Sequence, residues 1–209
     1  MRAMRKFLSL LLLLFAGAAI AGVATQDVDR SAPKAARTAT AVFAGGCFWC
    51  TESDFDHIAG VTETVSGYTG GRVRNPTYAQ VSAGNTGHIE AVRIVYDPSR
   101  VSYATLVERF FRTIDPLDGG GQFCDRGDQY RSAIFVANAA ERRIAEAAKA
   151  RAARQLGRPV ATEILPRGVF YRAEAYHQDY YRRNPVRYRF YRWNCGRDAR
   201  LERVWSNAR

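Results

Sequence analysis

Apolar and polar residues recur along this chain with a period that changes several times, and each change marks an element. Residues 38–43 read as a strand ended by Ala44-Gly45-Gly46, and 47–57 as a helix that opens directly at Cys47. A second strand over 61–68 runs into the Gly70-Gly71 turn, and a third over 89–96 stops at Asp97-Pro98. Ser102 is the expected N-cap of a helix whose Tyr103, Leu106, Val107, Phe110, Phe111 and Ile114 fall at the i, i+3, i+4, i+7 spacing of one buried face; Asp115-Pro116 ends it. Residues 118–128 hold four glycines and no period, so they form a long loop of the kind that often carries function. A fourth strand covers 132–136. Asn138 with Glu141 forms a capping box for a helix ending near Gln155, a short strand covers 162–165, and a short helix over 176–183 precedes Asn184-Pro185 and an irregular tail. Strands and helices in this order predict one α+β domain over 38–209, a two-layer sandwich with a mainly antiparallel mixed sheet packed by helices, ferredoxin-like in character.

The first residues break this pattern. Arg2, Arg5 and Lys6 precede an apolar run over 7–20, and small residues follow that offer cleavage after Ala21 or Ala24. That order is the one a secretory signal peptide shows, and the apolar run is short of the ~20 residues that span a bilayer. The expectation is a signal peptide over 1–24, a polar leader over 25–37, and a secreted or periplasmic protein with no stable insertion in a membrane after cleavage. No Cys follows the small residues, which argues against a lipid-attached form.

Composition adds two things. A hydrophobic share of 47% with 24% charged residues is that of a folded soluble body, expected to be monomeric. The formal charge is +11 over the whole chain and +8 without the signal segment. Much of the excess lies in Arg182, Arg183, Arg187, Arg189, Arg192, Arg197 and Arg200, interleaved with Tyr180, Tyr181, Tyr188, Phe190, Tyr191 and Trp193. Such interleaving suits a nucleic-acid surface, but arginine stems packed over rings on a solvated face account for it without any nucleic-acid partner.

Cys47, Cys50, Cys124 and Cys195 are the chain's cysteines. Export permits two structural disulfides, yet a domain of this length does not need them, and the setting of Cys47 points to chemistry. In Gly45-Gly46-Cys47-Phe48-Trp49-Cys50 the glycines let the backbone turn sharply out of a strand, and the helix they release presents unpaired N–H groups at Cys47. A thiol there is expected to ionise more readily than free cysteine and to serve as a nucleophile. Cys50, three residues on, shares its helix face and can approach disulfide geometry.

Glu90 is the candidate acid. Along 89–96, Glu90, Val92, Ile94 and Tyr96 share one face and Ile89, Ala91, Arg93 and Val95 the other; Arg93 marks the second face as the wetter, so Glu90 enters on the buried side. A desolvated carboxyl holds its proton to higher pH and can donate it.

The stretches Gly45-Gly46-Cys47-Phe48-Trp49, Gly67-Tyr68-Thr69-Gly70-Gly71, Asn75-Pro76-Thr77-Tyr78, Thr86-Gly87-His88-Ile89-Glu90-Ala91, Gln129-Tyr130-Arg131-Ser132 and Tyr176-His177-Gln178 stand in order and in register. Together they resemble the A-type peptide methionine sulfoxide reductases over residues 38–198. That resemblance implies attack by Cys47 on the sulfoxide sulfur of the S epimer, a proton from Glu90 to the departing oxygen, hydrogen bonds to that oxygen from Tyr78 and Tyr130, and a sulfenic acid left on Cys47. It implies a methyl pocket from Phe48 and Trp49 and a polar contact from Asp125. His88 and His177 receive structural roles only. The substrates implied are oxidised proteins and free methionine sulfoxide. The sulfenic acid needs a resolving thiol, for which Cys50, Cys195 and Cys124 are all candidates, and an external dithiol such as thioredoxin then restores the enzyme with no cofactor and no metal.

Other readings are a thiol–disulfide oxidoreductase, from Cys47-x-x-Cys50 alone, and a polyanion-binding module, from the charge alone. A zinc site would need a second ligand pair, and Cys50, Cys124 and Cys195 are too scattered in sequence to form one.

Overall fold

The computed structural model describes residues 38–206; the signal segment expected over 1–24 and the leader over 25–37 lie outside the described residues. The strands are β1 (Ala39–Gly45), β2 (Val61–Thr69), β3 (Ile89–Tyr96), β4 (Gly121–Gln122), β5 (Asp125–Arg126), β6 (Ser132–Val136), β7 (Glu163–Pro166) and β8 (Tyr171–Arg172). The helices are α1 (Phe48–Asp56), α2 (Tyr78–Ser82), α3 (Tyr103–Arg112), α4 (Ala139–Leu156), α5 (Tyr180–Arg183), α6 (Pro185–Asn194) and α7 (Arg197–Trp205).

Six strands form one sheet in the order β7-β6-β1-β3-β2-β8. Every pairing is antiparallel except β6 with β7. Within it, β1-α1-β2-β3-α3-β6 with its strands side by side as β6-β1-β3-β2 is the split βαβ arrangement, so the sandwich is ferredoxin-like as the sequence predicts. The antiparallel register also makes β1 a central strand, and it is the end of this strand that delivers Cys47.

One face of the sheet carries the main core. Phe43 of β1 meets Phe55 of α1 and Phe110 of α3 at ring-centroid distances of 5.4 and 5.0 Å. The buried face of α3, Tyr103, Leu106, Val107, Phe110 and Phe111, is the stripe the periodicity shows. Helix α4 buries only Ala145, Ala148 and Ala152, small residues that let it lie close to α3. The opposite face is drier than Arg93 suggests. Ile89 and Ala91 join Val42, Ala44, Ala133 and Phe135 in a second cluster covered by Leu165 and Phe170, and the Arg93 guanidinium lies over the Phe170 ring at 5.5 Å.

Three sequence expectations need correction. The tail is not irregular, because α6 and α7 occupy it. These helices are fastened by charge more than by an apolar stripe, and that is why no hydrophobic period announced them. Arg197 at the start of α7 is almost wholly buried; it donates to Gly45 O (3.3 Å), Thr113 O (2.6 Å) and Asp54 Oδ2 (3.3 Å) and lies over the Phe123 ring at 4.5 Å. Arg192 pairs with Asp54 and Asp198, and Arg200 with Asp115. Second, the helix expected over 176–183 is broken into a 3-10 turn at Ala175–His177 and α5, because Asp179 takes a left-handed φ of 52° that lets its N–H reach the buried Glu52 (3.0 Å). Third, the loop over 118–128 contains the β4–β5 hairpin. Helix α2 escaped notice since five residues are too few to show a period, although Thr77 and Gln80 form its capping box.

Arg197→Ala removes the cation that joins α7 to β1, α1 and α3 and leaves Asp54 short of a partner. We expect a loss of about 3 kcal/mol of unfolding free energy, measured by urea denaturation.

Candidate active site

The turn before Cys47 has no room for side chains. Gly46 has φ +82°, and a Cβ there would lie 2.5 Å from the Cβ of Gln122. Gln122 is itself fixed, accepting from Asp115 N and donating to Asp115 O, both at 2.8 Å. Cys47 follows as the N-cap of α1, and its carbonyl accepts from Cys50 N and Thr51 N at 3.1 and 3.3 Å. Cys47 is 6% exposed and Cys50 2%, and the two thiols lie close enough to shift each other's ionisation.

Glu90 meets this turn from β3. It is 2% exposed, and its Oε2 accepts from Phe48 N at 3.0 Å. The carboxyl is thus tied to the first amide of α1, one residue from Cys47. Burial, with lesser help from the charges of Asp125 and Cys50 and against the Phe48 N–H, pushes its pKa up to about 8. Glu90 is therefore protonated at neutral pH, as its place in the alternation predicts.

The thiol does not behave as predicted. Burial first, then Cys50, then Glu90 and Asp125 hold the Cys47 pKa well above the ordinary thiol value. The physical reason is burial, which costs the thiolate its hydration; the first N–H of α1, engaged by Glu90, does not offset that cost. Cys50 is shifted the other way, mainly by the hydrogen bond from Cys47, with Arg197 and Arg192 adding their positive charge against the cost of burial.

Aromatic rings build the rest. Phe48 is buried against Tyr68 and His177, with centroids at 5.8 and 4.9 Å. Trp49 stacks on Tyr180 at 3.7 Å, meets Tyr191 edge-on at 5.7 Å, and donates from Nε1 to His177 Nδ1 at 3.1 Å. Tyr191 Oη donates to Asp125 Oδ2 at 2.6 Å. Burial raises the pKa of Asp125, against that bond. Tyr78 packs on His177 at 4.5 Å, and its backbone N–H is held by Glu174 Oε1 at 2.8 Å. Burial raises the Tyr130 pKa, with the charges of Glu90, Tyr78 and Cys47 adding to it, so its hydroxyl shares their neighbourhood and stays protonated. Cys47, Phe48, Trp49, Tyr78, Glu90, Asp125 and Tyr130 thus share one neighbourhood, with aromatic rings on one side and protonated hydroxyl and carboxyl groups on the other.

The family model for peptide methionine sulfoxide reductase matches residues 39–209. The chain belongs to the peptide methionine sulfoxide reductases. Curated relatives of that name include one from Caulobacter vibrioides, 51% identical over 94% of this chain and 98% of the relative, and one from Rhizobium meliloti, 52% identical over 83% and 87%. Methionine sulfoxide reductase A of Corynebacterium diphtheriae superposes with a TM-score of 0.65 at 37% identity, covering 71% of this chain and 76% of that one. Reduced Mxr1 of Saccharomyces cerevisiae superposes with a TM-score of 0.69 at 31% identity, covering 73% and 88%.

In this reductase the cysteines sort into two pairs. Cys124 and Cys195, 71 residues apart and separated by 4.9 Å between Cα atoms, form a disulfide, whereas Cys47 and Cys50 are free. The scatter seen in sequence is undone by the fold, since the hairpin loop and the end of α6 meet. Asp125 stands with the two outer cysteines, but their sulfurs are bonded to each other.

Sequence reasoning missed several residues of the site. Tyr180 and Tyr191 were absorbed into the basic and aromatic stretch, yet they form the wall behind Trp49. His177 is structural in the sense expected, accepting from Trp49, but it is also the ring on which Phe48 and Tyr78 rest, and burial keeps its pKa low. His88 is purely structural, with Nδ1 accepting from Gly71 N and Nε2 bonded to Val73 O. Glu52, fully buried with Oε1 unpartnered, is pushed up to about 7 mainly by burial.

Glu90→Gln should slow the first turnover by about a hundred-fold or more. In the parent enzyme the donor is present below pH about 8 and lost as pH rises through it; that alkaline decline in single-turnover rate should vanish in the variant. Glu52 binds its proton more tightly folded, with a pKa of about 7 against an ordinary 4.5, so its contribution to stability falls as pH rises across that interval. Glu52→Gln should flatten the decline in urea midpoint between those pH values.

Proposed function

We propose that this site reduces the S epimer of methionine sulfoxide, free or within oxidised proteins, with Cys47 as nucleophile and Glu90 as proton donor. The observation that carries the reading is the Phe48 N–H···Glu90 bond, which keeps a neutral carboxyl against the residue following the nucleophile. Because Glu90 is neutral, its charge does not oppose a thiolate there at neutral pH, and Asp125 is the carboxylate that remains against it. Cys50, which gives up its proton to solvent more readily beside Cys47, Arg197 and Arg192, is the base: as a thiolate it takes the proton of Cys47 and leaves the negative charge on the Cys47 sulfur. The Cys47 sulfur then attacks the sulfoxide sulfur and the oxygen transfers to it; Glu90 supplies the proton, methionine leaves, and Cys47 holds S–OH. Tyr78 and Tyr130 hydrogen-bond to the oxygen in transit. The substrate methyl group lies against Phe48 and Trp49, whose faces suit a soft S-methyl group. Asp125, held by Tyr191, supplies the polar contact to the substrate.

Resolution falls to Cys50. It lies beside Cys47 while Cys124 and Cys195 are bonded to each other. Its thiol displaces hydroxide from the sulfenic acid as water, giving the Cys47–Cys50 disulfide. An external thioredoxin-like dithiol reduces that bond by exchange and is oxidised in turn. Export is supported by the basic, apolar and small-residue order of the first residues and by the Cys124–Cys195 disulfide, a bond that persists in oxidising compartments.

Cys47→Ser should abolish release of even one equivalent of methionine. Cys50→Ser should release one equivalent, leave a sulfenic acid that a dimedone probe traps, and fail to cycle with thioredoxin, whereas Cys124→Ser and Cys195→Ser should cycle. Cycling that survives loss of Cys50 and stops with loss of Cys195 would assign resolution to the outer pair.

A further inference from the structure

The arginine and aromatic stretch near the C-terminus reads in sequence as stems laid over rings, and the structure bears this out only in part. Tyr188 is buried, Tyr191 is turned toward Asp125, and Arg182 lies over the Tyr181 ring at 5.3 Å. Val186, Phe190 and Trp193 are left 70%, 64% and 74% exposed. On α6 they stand at i, i+4 and i+7, which places them in one line along the helix. The Phe190 and Trp193 rings are 6.0 Å apart at their centroids. At 3.6 residues per turn, Arg187 and Arg189 fall on opposite sides of that line. Both are exposed, and neither makes an ion pair or side-chain hydrogen bond among the described residues. The opposite face of α6 is fixed, with Tyr191 in the site wall and Arg192 paired to Asp54 and Asp198; Cys195 caps the helix and is bonded to Cys124. The exposed ridge is thus part of a rigid body.

We propose that this outer face of α6 docks the protein on an anionic phospholipid surface. A helix with Trp and Phe on one line and arginines on both flanks matches the chemistry of an interfacial helix, rings entering at headgroup level and guanidinium groups meeting phosphates. The charge is complementary, with Arg187 and Arg189 free of acidic partners among the described residues. The ridge is convex and offers three apolar side chains, little beside the ~1,200 Å² that a stable protein interface buries. Nucleic acid would be met better by cations along the ridge than by an apolar crest between them. No helix among the described residues is long and apolar enough to cross a membrane, so α6 would lie in the plane of the surface. Docking by this face leaves the Trp49–Tyr191 wall on the inner side of the helix uncovered.

The test is co-sedimentation of the chain beginning after Ala24, which contains all of the described fold, with vesicles of phosphatidylcholine alone or mixed with phosphatidylglycerol. Binding is expected to the mixed vesicles and to weaken with salt. Replacing both Arg187 and Arg189 by Gln should lower it about twenty-five-fold, from about five-fold for each cation. Replacing both Phe190 and Trp193 by Ser should lower it by about ten-fold or more. All variants should keep dithiothreitol-driven sulfoxide turnover. Failure to bind the mixed vesicles overturns the proposal, and so does binding undiminished in the Phe190/Trp193 variant. Retention of duplex DNA through the same residues, with vesicles ignored, overturns it in favour of a polyanion surface.

Discussion

A single hydrogen bond, from the Phe48 N–H to Glu90 Oε2, joins the two halves of the chemistry. It ends the search of a helix for a partner for its first orphan donor, and it spends that donor on a carboxyl group rather than on sulfur. The carboxyl stays neutral because it is buried, and the thiol stays a thiol for the same reason. The register of β3 stands behind this bond. Sheet neighbours on both sides, β1 and β2, fix which residue of β3 faces α1. A slip by one position would bring Ile89 or Ala91 to the amide and leave Cys47 without a neighbouring neutral carboxyl.

The same economy explains the C-terminal helices. With few apolar residues to spare, α6 and α7 are held by arginines whose targets are carboxylates and carbonyls at the ends of other elements, and Arg197 reaches the carbonyl of Gly45 just before the nucleophile. A buried cation of this kind contributes little unless every donor finds an acceptor, so its value lies in fixing geometry more than in net stability. The geometry fixed here includes the wall of rings from Tyr191 through Trp49 to Tyr180.

What could be read from sequence was what repeats or punctuates. The strand over 89–96, the strand over 132–136 and the stripe of α3 came from period alone, and the Gly45-Gly46 turn from the absence of side chains. Glu90 was placed on the buried face by the position of Arg93. Family resemblance supplied Tyr78, Tyr130 and Asp125, which no local pattern distinguishes from other polar loop residues. The meeting of Cys124 with Cys195, the break at Asp179 and the folding of the tail depend on partners from 66 to 152 residues away, such as Asp125 for Tyr191 and Gly45 for Arg197, and no window along the chain contains both members. The wrong sign for the Cys47 pKa has the same origin, since the burial that outweighs the helix start is made by elements distant in sequence.

The placement of Cys47 at the N-cap and Cys50 within the first turn of α1 has a consequence for the redox chemistry open to the two thiols. Positions three apart at a helix start already lie within the span that a disulfide bridges, so oxidation asks for side-chain rotation and little else. The Gly46 seat against Gln122 keeps the backbone from yielding in the other direction. A helix start of this build can pass between dithiol and disulfide without refolding.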